Sequence, residues 1–190
     1  MSAEAISRVT MALKSRLQAA LSAAGDPGSV FVGPLDDVDA SGASLILFLY
    51  RIVPNASLRN RERNVPGFNP PSNVITYRDS LPLDLYFLVT VGTRPGATGE
   101  EPLLRVLGFA MRELQNDPDL VGAPVANETI HVSLEPLSTD EVSRVWNLFP
   151  AANYRTSVAY LATPVWIDPA APPPTAAPVT RDDLLASQHA

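Results

Sequence analysis

The stretch that most constrains the fold is Leu81–Val91, with the sequence LPLDLYFLVTV. Its odd-numbered positions are all apolar, whereas its even-numbered positions are Pro82, Asp84, Tyr86, Leu88 and Thr90. An apolar side chain at every second position is typical of a β-strand with one buried face. The opposite face carries a carboxylate, a phenol and a hydroxyl, so we expect it to meet solvent, a neighbouring subunit or a channel.

Patterns on both sides of this strand predict the elements that cover it. Apolar residues at helical spacing predict an amphipathic helix over Ile6–Ala24, with Ser2 as its cap, and capping boxes at Thr98 and Ser138 predict two more helices. Further strands are predicted at Val30–Val32, Ser44–Val53, Thr129–Glu135 (with Ile130, Val132 and Leu134 inward) and Tyr154–Ile167. In the last of these strands Pro164 favours a sheet edge or a kink. The stretch Asn55–Ser80 is predicted to be irregular.

Length and composition predict one folded domain followed by an extended arm. A chain of 190 residues with 46% hydrophobic residues can fill one core well. We therefore expect residues 1–168 to form the domain and residues 169–190, rich in proline and alanine, to form the arm. A segment of this composition has too little apolar surface to hold one position alone, so we expect a partner to order it.

Charge and residue usage exclude several broad classes. The net charge of −6 argues against general binding to nucleic acids or anionic membranes, because both require a positive surface field. The chain contains no cysteine, which excludes disulfides and thiolate metal sites. It shows neither a secretory leader nor an apolar run near the roughly 18 residues of a membrane span. We therefore expect a protein that assembles in the cytosol.

The sequence predicts no catalytic residue, cofactor site or metal site. His131 is expected to be a surface residue of a strand without a catalytic partner, and His189 falls in the arm. The three acids at positions 36, 37 and 39 lack the glycine and the distal glutamate of a calcium loop, so a solvated turn explains them better. No phosphate-binding loop, nucleophile elbow or dinucleotide fingerprint occurs.

The candidate functional residues are therefore surface residues suited to binding a partner. Arg59, Arg61 and Arg63 alternate, so in an extended segment they would lie on one side and could meet phosphates or acidic patches. A solvated loop without a specific partner is the alternative. Phe68 could anchor in a neighbour or fold back on its own core. The remaining candidates are Asp84 and Tyr86 on the central strand, and Pro172, Leu184 and Leu185 in the arm.

Taken together, three segments resemble the cap proteins, or tube terminators, of phage-tail-like contractile injection systems. These segments are LPLDLYFL, LEPLSTDEVSRVW and YRTSVAYLATPVWID, and the resemblance extends over roughly Ala3 to Asp168. None of them is a catalytic motif, so the resemblance rests on their combination and order.

The resemblance implies an α+β fold with a mostly antiparallel sheet of about four to five strands flanked by helices. It also implies a homo-hexameric ring that ends the inner tube and joins the last ring of contractile sheath, at the end away from the baseplate. The tube protein and the sheath protein would be its partners, within a particle assembled in the bacterial cytoplasm.

Two other functions remain open at this point. A nucleic-acid-binding module would use Arg51, Arg59, Arg61, Arg63 and Arg78, although the acidic balance and the lack of interleaved aromatic residues disfavour it. The second alternative function is that of an enzyme of uncharacterised activity on the same fold.

Overall fold

The computed structural model describes residues 3–66, 74–77, 79–93 and 99–169. The helices are α1 (Ala5–Ala23), α2 (Glu101–Asn116) and α3 (Thr139–Trp146). The strands are β1 (Val30–Val32), β2 (Leu45–Pro54), β3 (Arg63–Pro66), β4 (Val74–Tyr77), β5 (Leu81–Val91), β6 (Asp119–Leu120), β7 (Ile130–Glu135) and β8 (Ser157–Ile167). Within the described residues no helix combines the length and apolarity needed to span a bilayer.

Strand β5, predicted from its alternation, lies in the interior of a six-stranded sheet. The strand order is β1-β2-β5-β8-β7-β6, and β5 pairs antiparallel with both β2 and β8. Of the neighbouring strand pairs in this sheet, the short pair β1–β2 is parallel and the others are antiparallel. The predicted α+β fold with a mostly antiparallel sheet is confirmed, with six strands in the sheet rather than four or five.

The odd-numbered face of β5 forms the main core with α1 and α2. Leu85, Phe87 and Val89 are completely buried there. Helix α1 contributes one buried stripe and α2 a second, because apolar residues spaced three and four apart fall on one side of a helix. The stripe residues are Val9, Leu13, Leu17 and Leu21 in α1, and Leu103, Val106, Leu107, Ala110 and Leu114 in α2.

The even-numbered face of β5 is covered along only half of its length. Leu88 and Thr90 are buried, and Leu88 packs in a second cluster with Trp146 and Phe149 at the end of α3. Asp84 and Tyr86 remain half-buried. The prediction of a wetter face therefore holds at these two residues. It is wrong for Pro82, Leu88 and Thr90, which are buried; Leu88 packs against Trp146 and Phe149, and the Thr90 hydroxyl donates a hydrogen bond to the Thr156 carbonyl at 3.1 Å.

Helix α3 begins with the capping box predicted at Ser138. The Ser138 hydroxyl accepts a hydrogen bond from the Glu141 amide at 3.3 Å, and the Glu141 carboxylate accepts one from the Ser138 amide at 2.9 Å. The Ser138 hydroxyl also donates a hydrogen bond to the Glu141 carboxylate at 2.7 Å, and this bond, followed by the one from the Ser138 amide, lowers the pKa of Glu141. The reciprocal cap fixes where α3 starts and hence where Trp146 meets the sheet.

Three predictions about helix caps and inward residues differ from the structure. Helix α2 starts at Glu101 after Glu100, which makes no side-chain cap, and the predicted cap Thr98 lies outside the described residues. Likewise α1 follows Glu4, and Ser2 lies outside the described residues. Leu134 was expected inward but is 51% exposed, because the alternation of β7 is lost after Val132.

Two strand predictions also need correction. Part of the stretch predicted to be irregular, Asn55–Ser80, forms the hairpin β3–β4, whose two strands pair antiparallel. Of the two alternatives predicted for Pro164, the sheet edge is wrong, since β8 pairs with both β5 and β7. The kink agrees with the structure, because the register of β8 against β5 shifts between Ala162 and Val165. Pro164 is nevertheless accommodated, because Thr163 is the last residue of β8 that pairs with β7.

A matched pair of leucines on β5 tests the assignment of its faces. Leu85→Ala should lower the free energy of unfolding by about 2–5 kcal/mol, because it empties a fully buried site. Leu81→Ala should cost about 0.5 kcal/mol or less, because Leu81 is 44% exposed. Urea unfolding of the two variants and the parent measures both values. Equal losses would contradict the assigned burial.

Candidate interaction surface

The turn after β2 carries Arg59 and Arg61, two of the three arginines predicted to bind a partner. Asn55 organises this turn, since its side-chain oxygen accepts hydrogen bonds from the amides of Ser57 and Leu58, both at 3.1 Å. Arg59 and Arg61 are exposed on it. Their guanidinium groups are therefore placed where a partner can reach them.

Arg63, the third predicted arginine, points into the protein. Its side chain is only 6% exposed and forms ion pairs with Asp168, at 2.5 Å, and with Glu128. Its guanidinium also lies over the ring of Trp166, 5.3 Å from the ring centre. The prediction that the three arginines share one side of an extended segment is wrong, because Arg59 and Arg61 lie in a turn and Arg63 lies in β3.

Arg63 joins three parts of the chain that are distant in sequence. It belongs to the β3–β4 hairpin, Glu128 precedes β7, and Asp168 follows β8. Burial would raise the pKa of Asp168, but hydrogen bonds, including one from Ser80 at 2.7 Å, and the charge of Arg63 lower it overall. This buried ion cluster fixes the hairpin against the end of the sheet where Arg59 and Arg61 lie.

Asp84 has a structural role at the same end of the sheet. Its carboxylate accepts hydrogen bonds from the Asn55 side-chain amide at 2.9 Å and from the Thr163 hydroxyl at 2.5 Å. The register of β5 against β8 shifts between Leu83 and Leu85, on either side of Asp84. The carboxylate thus ties the arginine turn to the irregular part of the sheet.

Tyr86 lines an aromatic and charged cavity beside α3. The cavity has a volume of about 350 Å³, and its lining includes Tyr50, Arg51, Glu135 and Leu148. The guanidinium of Arg51 lies 5.0 Å from the centre of the Tyr86 ring. Burial, and next the charge of Glu135, raise the pKa of Tyr50 to about 12. The Tyr50 phenol therefore stays neutral, and the two tyrosine rings offer apolar area together with hydroxyl groups.

A larger groove lies on the other side of α3 and was not predicted from the sequence. Its volume is about 660 Å³, and its lining includes Ser143, Trp146, Phe149 and Tyr154. Tyr154 is 64% exposed and meets the Trp146 ring edge-on at 5.3 Å between ring centres. The capping box at Ser138 predicted the helix that carries Trp146 but not this groove, and Tyr154 was predicted to start the last strand, which begins at Ser157 instead.

The residues weighed for chemistry occupy structural positions. Asp37 accepts a hydrogen bond from the Asp39 amide at 2.9 Å, as in the predicted turn. His131, expected to have no catalytic partner, makes an exposed contact with Asp119 at 2.8 Å. Over the described ranges, no group of three or more histidines, cysteines or acids is arranged to hold a metal ion. The described surfaces are equipped for binding through shape, aromatic rings and guanidinium groups.

Several predicted residues lie outside the described residues. These are Phe68 in the β3–β4 connection, and Pro172, Leu184 and Leu185 in the arm. The proposed boundary between residues 168 and 169 adjoins the same undescribed part, so the division into domain and arm stays a prediction.

The fold is shared with solved structures of two terminators. One is described as the sheath/tube terminator of the PVC extracellular contractile injection system in its extended state, with a TM-score of 0.63 and 19% identity. The other is described as the anti-feeding prophage cap, a tube-terminating cap, with a TM-score of 0.65 and 19% identity. The matches cover 97% and 94% of this chain, but 64% and 60% of those chains, so this chain spans less than two thirds of their length.

The chain belongs to the Pvc16 N-terminal domain family, whose model matches residues 8–181. No curated protein matches it in sequence. The resemblance to cap proteins of contractile injection systems, predicted from three sequence segments, is thus confirmed for family and fold.

Two neighbouring arginines give a matched test of the ion cluster. Arg63→Met should lower the free energy of unfolding by about 3 kcal/mol, because it removes the buried cation that the carboxylates of Asp168 and Glu128 share. Arg61→Met should change it by less than about 0.5 kcal/mol, because Arg61 is exposed. Urea unfolding at neutral pH measures the difference, and equal effects would contradict the inward role of Arg63.

The effect of Arg63→Met should also depend on pH. Because the folded-state pKa of Asp168 is lowered, its ion pair stabilises the parent above the ordinary value of 3.8. That contribution is lost as the pH falls through the lower folded-state value. The difference between the parent and Arg63→Met should therefore shrink below about pH 4.

Proposed function

We propose that this protein forms a six-membered ring that terminates the inner tube of a contractile injection particle and joins its last ring of sheath. The main support is the fold, which two solved terminators share over nearly all of this chain. Membership of the Pvc16 N-terminal domain family supports the same role. The ring, the sheath contact and the count of six are parts of this proposal.

Ring assembly requires two unlike surfaces on each subunit, because a heterologous contact repeated by rotation closes into a ring. The described residues offer such surfaces. One carries Arg59 and Arg61 at the end of the sheet, and another is the groove beside α3. Copies of a chain with a net charge of −6 present carboxylates that two exposed guanidinium groups can bind.

The proposed role is structural, with no bond made or broken. A terminator has to bind the end of a tube on one side and stop further stacking on the other. Apolar and cationic contact surfaces serve this role without an activated nucleophile. The two solved chains that share the fold are themselves described as a terminator and a cap.

Two measurements test the proposal at different levels. Light scattering of the purified full chain should give the mass of a discrete hexamer, and a monomer at every concentration would contradict the ring. Electron microscopy of particles from a bacterium lacking the protein should show tubes and sheaths of uneven length. Normal, uniform particles from that strain would contradict a terminating role.

The two exposed arginines provide a test of the surface. Replacing Arg59 and Arg61 together with serine should reduce the hexamer fraction at least about tenfold, because each charged contact at an interface contributes about 1 kcal/mol or more. Stability should be unchanged, because both residues are exposed. Arg144→Ser, which removes another exposed arginine paired at the surface with Asp140, is the control. Full assembly of the double variant would place the arginine turn in solvent.

A further inference from the structure

Two buried donors without partners lie on the α3 side of the sheet. Among the side chains of the described residues, Trp146 Nε1 and Arg155 Nη1 are the buried nitrogen atoms that make no hydrogen bond. Buried polar groups are nearly always paired in folded proteins, and an unpaired one costs about 1–3 kcal/mol. Two such groups, on residues that line neighbouring cavities, point to a surface that a ligand with hydrogen-bond acceptors would complete.

Both side chains line neighbouring cavities. Trp146 lines the groove of about 660 Å³ beside α3, and Arg155 lines a smaller cavity of about 170 Å³. Ala152 borders both cavities, and Tyr154 and Arg155 are adjacent in the chain. Burial lowers the pKa of Arg155. The surface thus combines aromatic rings with two donors that need acceptors.

We propose that this groove binds the proline run Pro172–Pro174 of a second copy of the same chain. Aromatic grooves bind polyproline II segments because the ring faces pack against the pyrrolidine rings. Prolines have no amide hydrogen, and their carbonyl groups are left as acceptors, which suits a surface rich in unpaired donors. Asp182 and Asp183 follow the prolines and carry carboxylates that can pair with Arg155.

The length of the chain favours a second copy over the same one. Ala159 of β8 packs in the cluster that contains Trp146 and Phe149, whereas the arm leaves β8 after Asp168 at the other end. Nine residues of strand span about 30 Å. Pro174 lies six residues beyond Asp168 and can extend only about 20 Å from it. The proline run therefore falls short of its own groove and can occupy that of a neighbour.

Because the Tyr154 ring lies against the indole of Trp146, binding of the proline run requires a small local movement of Tyr154. The nitrogen Trp146 Nε1 has almost no solvent contact, and the exposed Tyr154 ring meets the indole edge-on. Tyr154 follows α3 in a segment without regular structure, residues 153–156. The bound proline run displaces this ring and takes its place against Trp146.

Disulfide trapping tests this inference, because the native chain contains no cysteine. Full-length Ser143→Cys places a thiol in the groove, and full-length Thr175→Cys places one directly after the proline run, which stays intact. Mixed and mildly oxidised, they should give at least about tenfold more heterodimer than Thr175→Cys mixed with Ser22→Cys. Ser22 is an exposed residue of α1, on the opposite face of the sheet, so it provides a matched serine control.

A second variant separates the role of the indole from that of the fold. Trp146→Phe removes the donor and keeps an aromatic ring, so combined with Ser143→Cys it should reduce trapping several-fold while the chain stays folded. Equal trapping at Ser143 and Ser22 would overturn the inference. It would also be overturned if a chain carrying both Ser143→Cys and Thr175→Cys closed its disulfide internally as a monomer.

The inference rests on the self-association in the proposed function, and the two can fail separately. A hexamer by mass that gives no trapping at Ser143 would overturn the docked arm and leave the ring. Trapping at Ser143 in a dimer would support the docked arm and contradict the ring. A monomer without trapping would overturn both.

Discussion

The rest of the structure depends on the pairing of β5 with a long strand on each side. Hydrogen bonding to β2 and β8 places this strand in the interior of the sheet, so both of its faces need cover. Helices α1 and α2 cover one face from Leu83 to Val91. Helix α3 covers half of the other, and the uncovered half carries Asp84 and Tyr86 next to the arginine turn. The surface formed by Asp84, Tyr86 and the arginine turn therefore results from the incomplete cover of one face of β5.

Elements defined by short-range patterns were predictable from the sequence. Alternation over Leu81–Val91 specifies a strand because successive side chains point to opposite faces. The capping box of α3 joins Ser138 and Glu141, three residues apart, so the sequence contains the whole interaction. The family resemblance extended these local patterns to the correct fold class, a mostly antiparallel sheet flanked by helices.

Features that depend on distant residues were not predictable in this way. Arg63 points inward because its partners Glu128 and Asp168 lie 65 and 105 residues further along the chain. The two-residue spacing between Arg61 and Arg63 gives no indication of these distant partners. The groove beside α3 likewise arises where the segment through Tyr154 returns to the helix, and the unpaired indole of Trp146 appears only after the core is assembled. Local spacing could place Trp146 on a helix face but not reveal its missing acceptor.

The position of Asp168 has a mechanical consequence. This residue is both the last link before the arm and a partner of Arg63, which in turn holds Glu128 and the hairpin. Tension applied to the chain beyond Asp168 would reach this ion cluster before it could peel β8 from its neighbours. Arg63 would then share the load among three separate segments, so that the pull acts on the folded body as a unit.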